Sequence, residues 1–174
     1  MKKRVELGLE IEIDKLTNSI ENVKLGLSFR TEVTQLRKSE WAILTDNNYW
    51  QFHWELEFDI PNREIYKLSL ANELNVIQGL MSIEEKKDYI FIHLIESASF
   101  NIGNSKAFLG VPGNLVAFAC QVSFDRGGEG YVSFLSKSKL IKHYEESLGA
   151  IHIGGQNMVI TSETAMNLIN KYFS

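Results

Sequence analysis

The sequence predicts an α+β fold, a mixed and mainly antiparallel sheet flanked by helices. Three observations carry that expectation. Strand-like segments follow one another through short turns between residues 50 and 96, as in an antiparallel meander. From Gly113 onward apolar residues recur at helical spacing, alternating with short runs of strand formers. Only two prolines occur, Pro61 and Pro112, and no repeat or low-complexity linker divides the 174 residues, so 1–174 reads as a single domain.

The elements follow in order. Residues 4–13 alternate loosely between apolar and charged and end in Glu10-Ile-Glu-Ile13, which reads as a strand. Residues 14–40 are polar and poorly periodic and predict no element. In Trp50-Gln-Phe-His-Trp-Glu-Leu-Glu-Phe58 the alternation is strict, which predicts a strand with Trp50, Phe52, Trp54, Leu56 and Phe58 on one face. The turn Asp59-Ile-Pro-Asn62 closes it. Residues 63–70 and 75–84 read as two strands joined by the hairpin connection Ala71-Asn-Glu-Leu74. After the charged turn Glu85-Lys-Lys-Asp88, the apolar run Tyr89-Ile-Phe-Ile-His-Leu-Ile-Glu96 predicts an inner strand.

Leu115, Phe118, Ala119 and Val122 mark a helix that Gly127-Gly128 stops. A strand over 131–135 follows, then a helix capped by Ser138 with Leu140, Ile141, Tyr144 and Leu148 inward. Residues 151–153 and 158–160 form a hairpin around Gly154-Gly-Gln-Asn157. Ser162 caps a last helix with Ala165, Leu168, Ile169 and Tyr172 on one face.

Composition narrows the function. Apolar residues make up 44% and charged residues 23%, as in a soluble globular chain. A net charge of -4 argues against a nucleic-acid partner, which needs a basic field. No apolar run approaches a membrane span, and Met1-Lys-Lys-Arg-Val-Glu-Leu-Gly-Leu-Glu10 lacks the apolar centre of a signal peptide. The expectation is a cytoplasmic protein with no membrane partner. The lone Cys120 sits among apolar helix residues and reads as a buried, inert thiol. The four histidines and Cys120 show no metal-ligand spacing, so no metal is expected.

The most informative stretch is Leu109-Gly-Val-Pro-Gly-Asn-Leu-Val-Ala-Phe-Ala-Cys120, a glycine turn that opens a helix shortly after a buried strand. A helix N-terminus offers unpaired N–H groups and a positive dipole end, and glycine lets a phosphate approach the backbone. The stretch from Lys106 through Gly110 and Val111 to Gly113 and Asn114 is the expected pyrophosphate site.

This order of elements resembles the GNAT superfamily of acetyl-CoA-dependent N-acetyltransferases, most strongly over residues 76–160. The family's coenzyme loop usually reads Gln/Arg-x-x-Gly-x-Gly/Ala before the same helix. Gly110 matches the first glycine, Pro112 stands at the next small position, and Ala107 stands where Gln or Arg is usual. Lys106, one residue away, is the available cation. Tyr144-Glu-Glu-Ser-Leu-Gly-Ala150 is similar to the family's Tyr-x-x-x-Gly-Phe, with one extra residue and alanine for the aromatic. Val76-Ile-Gln-Gly-Leu-Met-Ser82 looks like its third strand.

The resemblance implies a GNAT-like acyltransferase that moves an acetyl group from acetyl-CoA, its cosubstrate, to an amine of a small molecule or protein. It implies Glu96, at the end of the buried strand and read as sharing a face with Ile90, Ile92 and Leu94, as general base. A carboxylate half withdrawn from water has a raised pKa. It implies Tyr144 as general acid on the leaving thiolate. Small residues after the strand, Ser97, Ala98 and Ser99, would let it splay and free backbone groups for the pantetheine amides. Each residue also has an ordinary structural reading: a strand-end glutamate, a core tyrosine, a helix cap at Gly113 and Asn114. His143 reads as a surface histidine and His93 as a satisfied interior one. Trp50, Phe52 and Trp54 read as core, with an aromatic acceptor groove as the other reading. The alternative to catalysis is a GNAT-like domain that binds CoA or another ligand without turnover, or an interaction module, as monomer or homodimer.

Overall fold

The structure is a computed structural model that describes residues 6–44 and 49–173. Residues 4 and 5 of the strand expected over 4–13, like Met1 to Lys3, lie outside the described residues. In chain order the first half holds β1 (Ile20–Asn22), β2 (Ser28–Phe29), β3 (Thr31–Gln35), α1 (Lys38–Leu44), α2 (Trp54–Glu57), β4 (Arg63–Leu70), β5 (Gly79–Glu85) and β6 (Ile90–Ser97). The second half holds β7 (Phe108–Leu109), α3 (Val111–Asp125), β8 (Val132–Leu135), α4 (Ile141–Leu148), β9 (Ile151–His152), β10 (Asn157–Ile160) and α5 (Ser162–Phe173).

Seven strands form the main sheet in the order β3-β4-β5-β6-β8-β10-β9, and β2-β1-β7 form a small second sheet. Among the described residues, the β6–β8 pair is the one parallel pair of strands in the main sheet. This is the mixed, mainly antiparallel α+β sheet that the sequence predicts, with 89–96 as its inner strand.

Two expectations fail before Pro61. Residues 50–58 are not a strand: Trp54 is buried, Leu56 is 60% exposed and Glu57 is buried, a helical spacing that matches α2. Aromatic alternation there serves ring packing instead, with Trp41 against both Trp50 and Phe58. The outer place in the sheet goes to β3, whose mixed and largely exposed pattern suits an edge strand and showed no periodicity. Of residues 6–13, only Leu9 makes a β-bridge, to Ser136; the rest pair with no strand.

The sheet has a core on each face. Met81, Ile83, Ile92 and Ile95 join the larger cluster with α3, while Ile65, Leu80, Trp41 and Trp54 form the smaller one opposite. Helix α3 is buried nearly all round because α5 covers the side that the sheet leaves. Cys120 is fully buried there, and burial pushes its thiol up to about 12, which leaves it protonated and inert. Ser138 does not cap α4; it opens a 3-10 turn whose last residue, Leu140, precedes the helix with no side-chain cap.

Candidate active site

The parallel ladder between β6 and β8 pairs only Ile90, Phe91 and Ile92 with Val132, Ser133 and Phe134. Beyond Ile92 the two strands part. Leu94, Ile95, Glu96 and Ser97 all line a cleft of about 360 Å³. Successive strand side chains point to opposite faces, so four in a row can border one cavity only along the strand's edge.

A β-bulge accompanies the parting. Ser82 pairs with Leu94, but its neighbour Ile83 pairs with Ile92, so His93 is the extra residue. The bulge also corrects the expected face of Glu96. Ile92 and Ile95 both join the α3 core, whereas Leu94 packs with the aromatic cluster, and Glu96 shares that second face. His93 itself is held by Glu84 at 2.9 Å, and burial lowers its pKa.

Glu96 is 5% exposed and tied to the loop before α2. Its Oε1 accepts from Phe52 N–H at 3.2 Å and from Trp54 Nε1–H at 2.7 Å; Oε2 accepts from Gln51 N–H at 2.6 Å. Each carboxylate oxygen has two lone pairs. Oε2 therefore keeps acceptor capacity on a side chain that borders the cleft.

On the α3 side, Gly110 precedes the helix at φ 95°, a conformation glycine adopts without steric cost. Its N–H donates to Asp14 Oδ1 at 3.0 Å, and Lys106 Nζ donates to Asp14 Oδ2 at 3.1 Å. A carboxylate thus occupies the position that the glycine turn and Lys106 mark as an anion site. The other residues of the turn are buried or lack an N–H. Pro112 has no N–H. Asn114 is fully buried, its N–H bonds Gly110 O at 2.9 Å within the helix, and its Nδ2–H reaches Thr31 Oγ1 at 3.3 Å. Gly113 lies under Tyr172: a Cβ there would stand 1.7 Å from the Tyr172 hydroxyl oxygen. Val111 is buried in the larger core.

Tyr144 is 1% exposed, with its ring edge-on to Phe134 at 5.2 Å. Burial raises the pKa of its hydroxyl, which donates to Ile11 O. His143, expected at the surface, is half-buried and accepts the Ile13 N–H on Nε2 at 2.8 Å. Of the loop residues, Ser97 lines the cleft, Ala98 N–H bonds Gln78 O, and Ser99 starts a 3-10 turn.

The residues that sequence reasoning missed lie in one segment, 8–17. It runs beside the end of β8, where Leu9 N–H donates to Leu135 O at 2.7 Å and Lys137 N–H donates to Leu9 O at 3.1 Å. It passes Tyr144 and His143 and reaches Gly110, whose Cα is faced by Thr17. No local pattern marks Asp14, because its partners are remote in sequence.

Among the described residues no group of His, Cys, Asp and Glu could hold a metal, and no helix is long and apolar enough to cross a membrane.

No family model and no curated protein sequence matches the chain. Solved structures do. AtaTR bound with AcCoA superposes with a TM-score of 0.56 at 12% identity, covering 79% of this chain and 97% of that one. The KacTA–DNA complex gives 0.54 at 10% identity, covering 81% and 99%. A chimera of the spermidine N-acetyltransferase SpeG from Vibrio cholerae and hSSAT gives 0.48 at 14% identity, covering 79% and 98%. These neighbours are matched nearly end to end, while about a fifth of this chain lies outside each match.

Proposed function

From the GNAT fold, which this chain has, we propose that it transfers an acetyl group from acetyl-CoA to an amine of a small molecule or protein. The observation that carries this reading is the parting of β6 from β8, with the freed edge of β6 at Leu94 to Ser97 open to a cleft beside the start of α3. The fit to a phosphorylated coenzyme rests on the anion already there: Gly110 N–H and Lys106 Nζ hold the Asp14 carboxylate between them. Lys106 and the Gly110 N–H would hold the pyrophosphate, and the edge of β6 the pantetheine amides.

Bound acetyl-CoA supplies an activated acyl carbonyl and a thiolate leaving group. Glu96 Oε2, directly or through a water, takes the proton from the acceptor amine. Tyr144 gives its hydroxyl proton to the departing sulfur, which its ordinary acceptor, the Ile11 carbonyl, must first yield. The net charge of -4 gives no basic field for nucleic acid, although one neighbour was solved with DNA.

One observation favours the alternative reading of a domain without turnover. Residues 8–17 sit on the groups that the coenzyme would use.

Two measurements test the proposal. Acetyl-CoA should raise the melting temperature, since a ligand that binds only the folded state stabilises it. An amine panel with free-thiol detection should then find an acceptor. No thermal shift and no thiol release with any amine would leave the non-catalytic reading standing. With an acceptor in hand, Tyr144→Phe should cut turnover by about 10²–10⁴-fold. Glu96 also anchors residues 51–54, so its role is tested by the turnover of Glu96→Gln protein that keeps the parent's melting temperature.

A further inference from the structure

We propose that residues 8–17 are an intrasteric strap that occupies the coenzyme's place, so that strap and coenzyme exclude one another. The inference rests on the acetyl-CoA reading above and adds its regulation.

Four contacts carry it, three of them to a group on the proposed coenzyme path. The Asp14 carboxylate takes the Gly110 N–H and the Lys106 ammonium, an anion held by a glycine turn and a lysine. The Ile11 carbonyl takes the Tyr144 hydroxyl. The Leu9 backbone bridges to Ser136 just past β8, on the side from which β6 has parted. Thr17 packs over Gly110, where an added Cβ would lie 2.0 Å from its Oγ1.

The strap is fastened from behind as well. His143 Nε2 accepts the Ile13 N–H, and Tyr172 Oη donates to Lys15 O at 3.1 Å. Leu9 and Ile13 are buried, so the strap is packed and not merely laid over the cleft. Its charge chemistry is nonetheless that of a competitor. Gly110 N–H and Lys106 gain an anion whether a carboxylate or a phosphate arrives. A binding-competent form that is only a fraction of the population lowers apparent affinity by that fraction.

The experiment uses the full chain, with CoA and acetyl-CoA as probes. Asp14→Ala removes the resident anion, and His143→Phe removes the acceptor that holds Ile13 while keeping a ring. Dissociation constants come from calorimetry. Hydrogen exchange follows the Leu9 and Ile13 amides with and without saturating CoA. The expected result is at least about tenfold tighter CoA binding by Asp14→Ala and a smaller gain by His143→Phe. Both amides of the parent should exchange faster when CoA is bound. The exchange measurement needs no variant, so it holds even if a substitution fails to fold. It also separates release of the strap from simple loss of a repelling charge. Parent-like affinity in the variants, with Leu9 and Ile13 still protected at saturation, overturns the strap and leaves the coenzyme site standing. No binding by parent or variants at millimolar CoA overturns the coenzyme reading itself, and the competition with it.

Discussion

Glu96 and Asp14 line the same cleft, and each accepts backbone N–H groups, but the chain holds them in different ways. Glu96 belongs to β6 and is the point to which the loop over 50–54 is tied, with three donors on one carboxylate. Asp14 belongs to a segment that pairs with no strand of the sheet beyond one bridge; besides the N–H of its neighbour Lys15, its donors are Gly110 N–H and Lys106 Nζ, which would serve any anion. A group built into the fold cannot be exchanged without cost to the fold. A group that satisfies a ready anion site can.

The largest effect should come from Glu96→Ala. It strands the N–H groups of Gln51 and Phe52 and the Trp54 indole at a half-buried to fully buried site. Each unsatisfied buried donor costs about 1–3 kcal/mol, so a loss of about 4 kcal/mol is expected in urea unfolding. Asp14→Ala should cost about 1 kcal/mol, since Lys106 and the exposed Lys15 N–H can turn to water and one part-buried donor, the Gly110 N–H, is left. Equal losses would erase the distinction between the two carboxylates.

The next effect belongs to the clamp behind the strap. Gly113 has an ordinary helical backbone, where alanine alone would be favourable by about 1 kcal/mol. Its Cβ would meet Tyr172 at 1.7 Å, so overpacking decides the sign. Gly113→Ala should destabilise by about 2 kcal/mol. Tyr172→Leu has its own cost, but in that background adding Gly113→Ala should be neutral or better, as a double-mutant cycle would report. A penalty that persists without the tyrosine ring would show that Tyr172 is not what requires glycine there.

The same contrast explains what the sequence disclosed. The strand over 63–70, the inner strand, the helix after Gly110 and the hairpin around Gly154 all rest on neighbours in sequence, and the structure has each of them. The first third was opaque because its elements are defined by distant partners. β3 is a polar edge strand recognisable only by its pairing with β4. The alternating aromatics from Trp50 to Phe58 carry a strand's pattern yet close a core under the sheet. Glu96 was legible as a buried strand-end carboxylate, but its donors lie 42–45 residues back. Gly110 and Lys106 were legible as an anion site, whereas Asp14, 96 residues before Gly110, was not. A bulge at His93 reversed the expected face of Glu96, a one-residue event that no periodicity announces.

The smallest effect in stability should be that of Tyr144→Phe, and it sharpens the comparison most. The ring stays against Phe134, and only the bond to Ile11 O is lost. One hydrogen bond is worth about 1 kcal/mol net. If the strap opens separately from the sheet, that loss falls on the strap alone. The Leu9 and Ile13 amides, bonded to Leu135 O and His143 Nε2, should then exchange about fivefold faster. The Gln51 and Phe52 amides, bonded to Glu96, should keep the parent's rate. Uniform acceleration at all four would mean that strap and loop open as one unit, and Asp14 would then be as much a part of the fold as Glu96. Selective acceleration, set beside a turnover loss far larger than fivefold, would separate the tyrosine's hold on the strap from the catalytic part proposed for it.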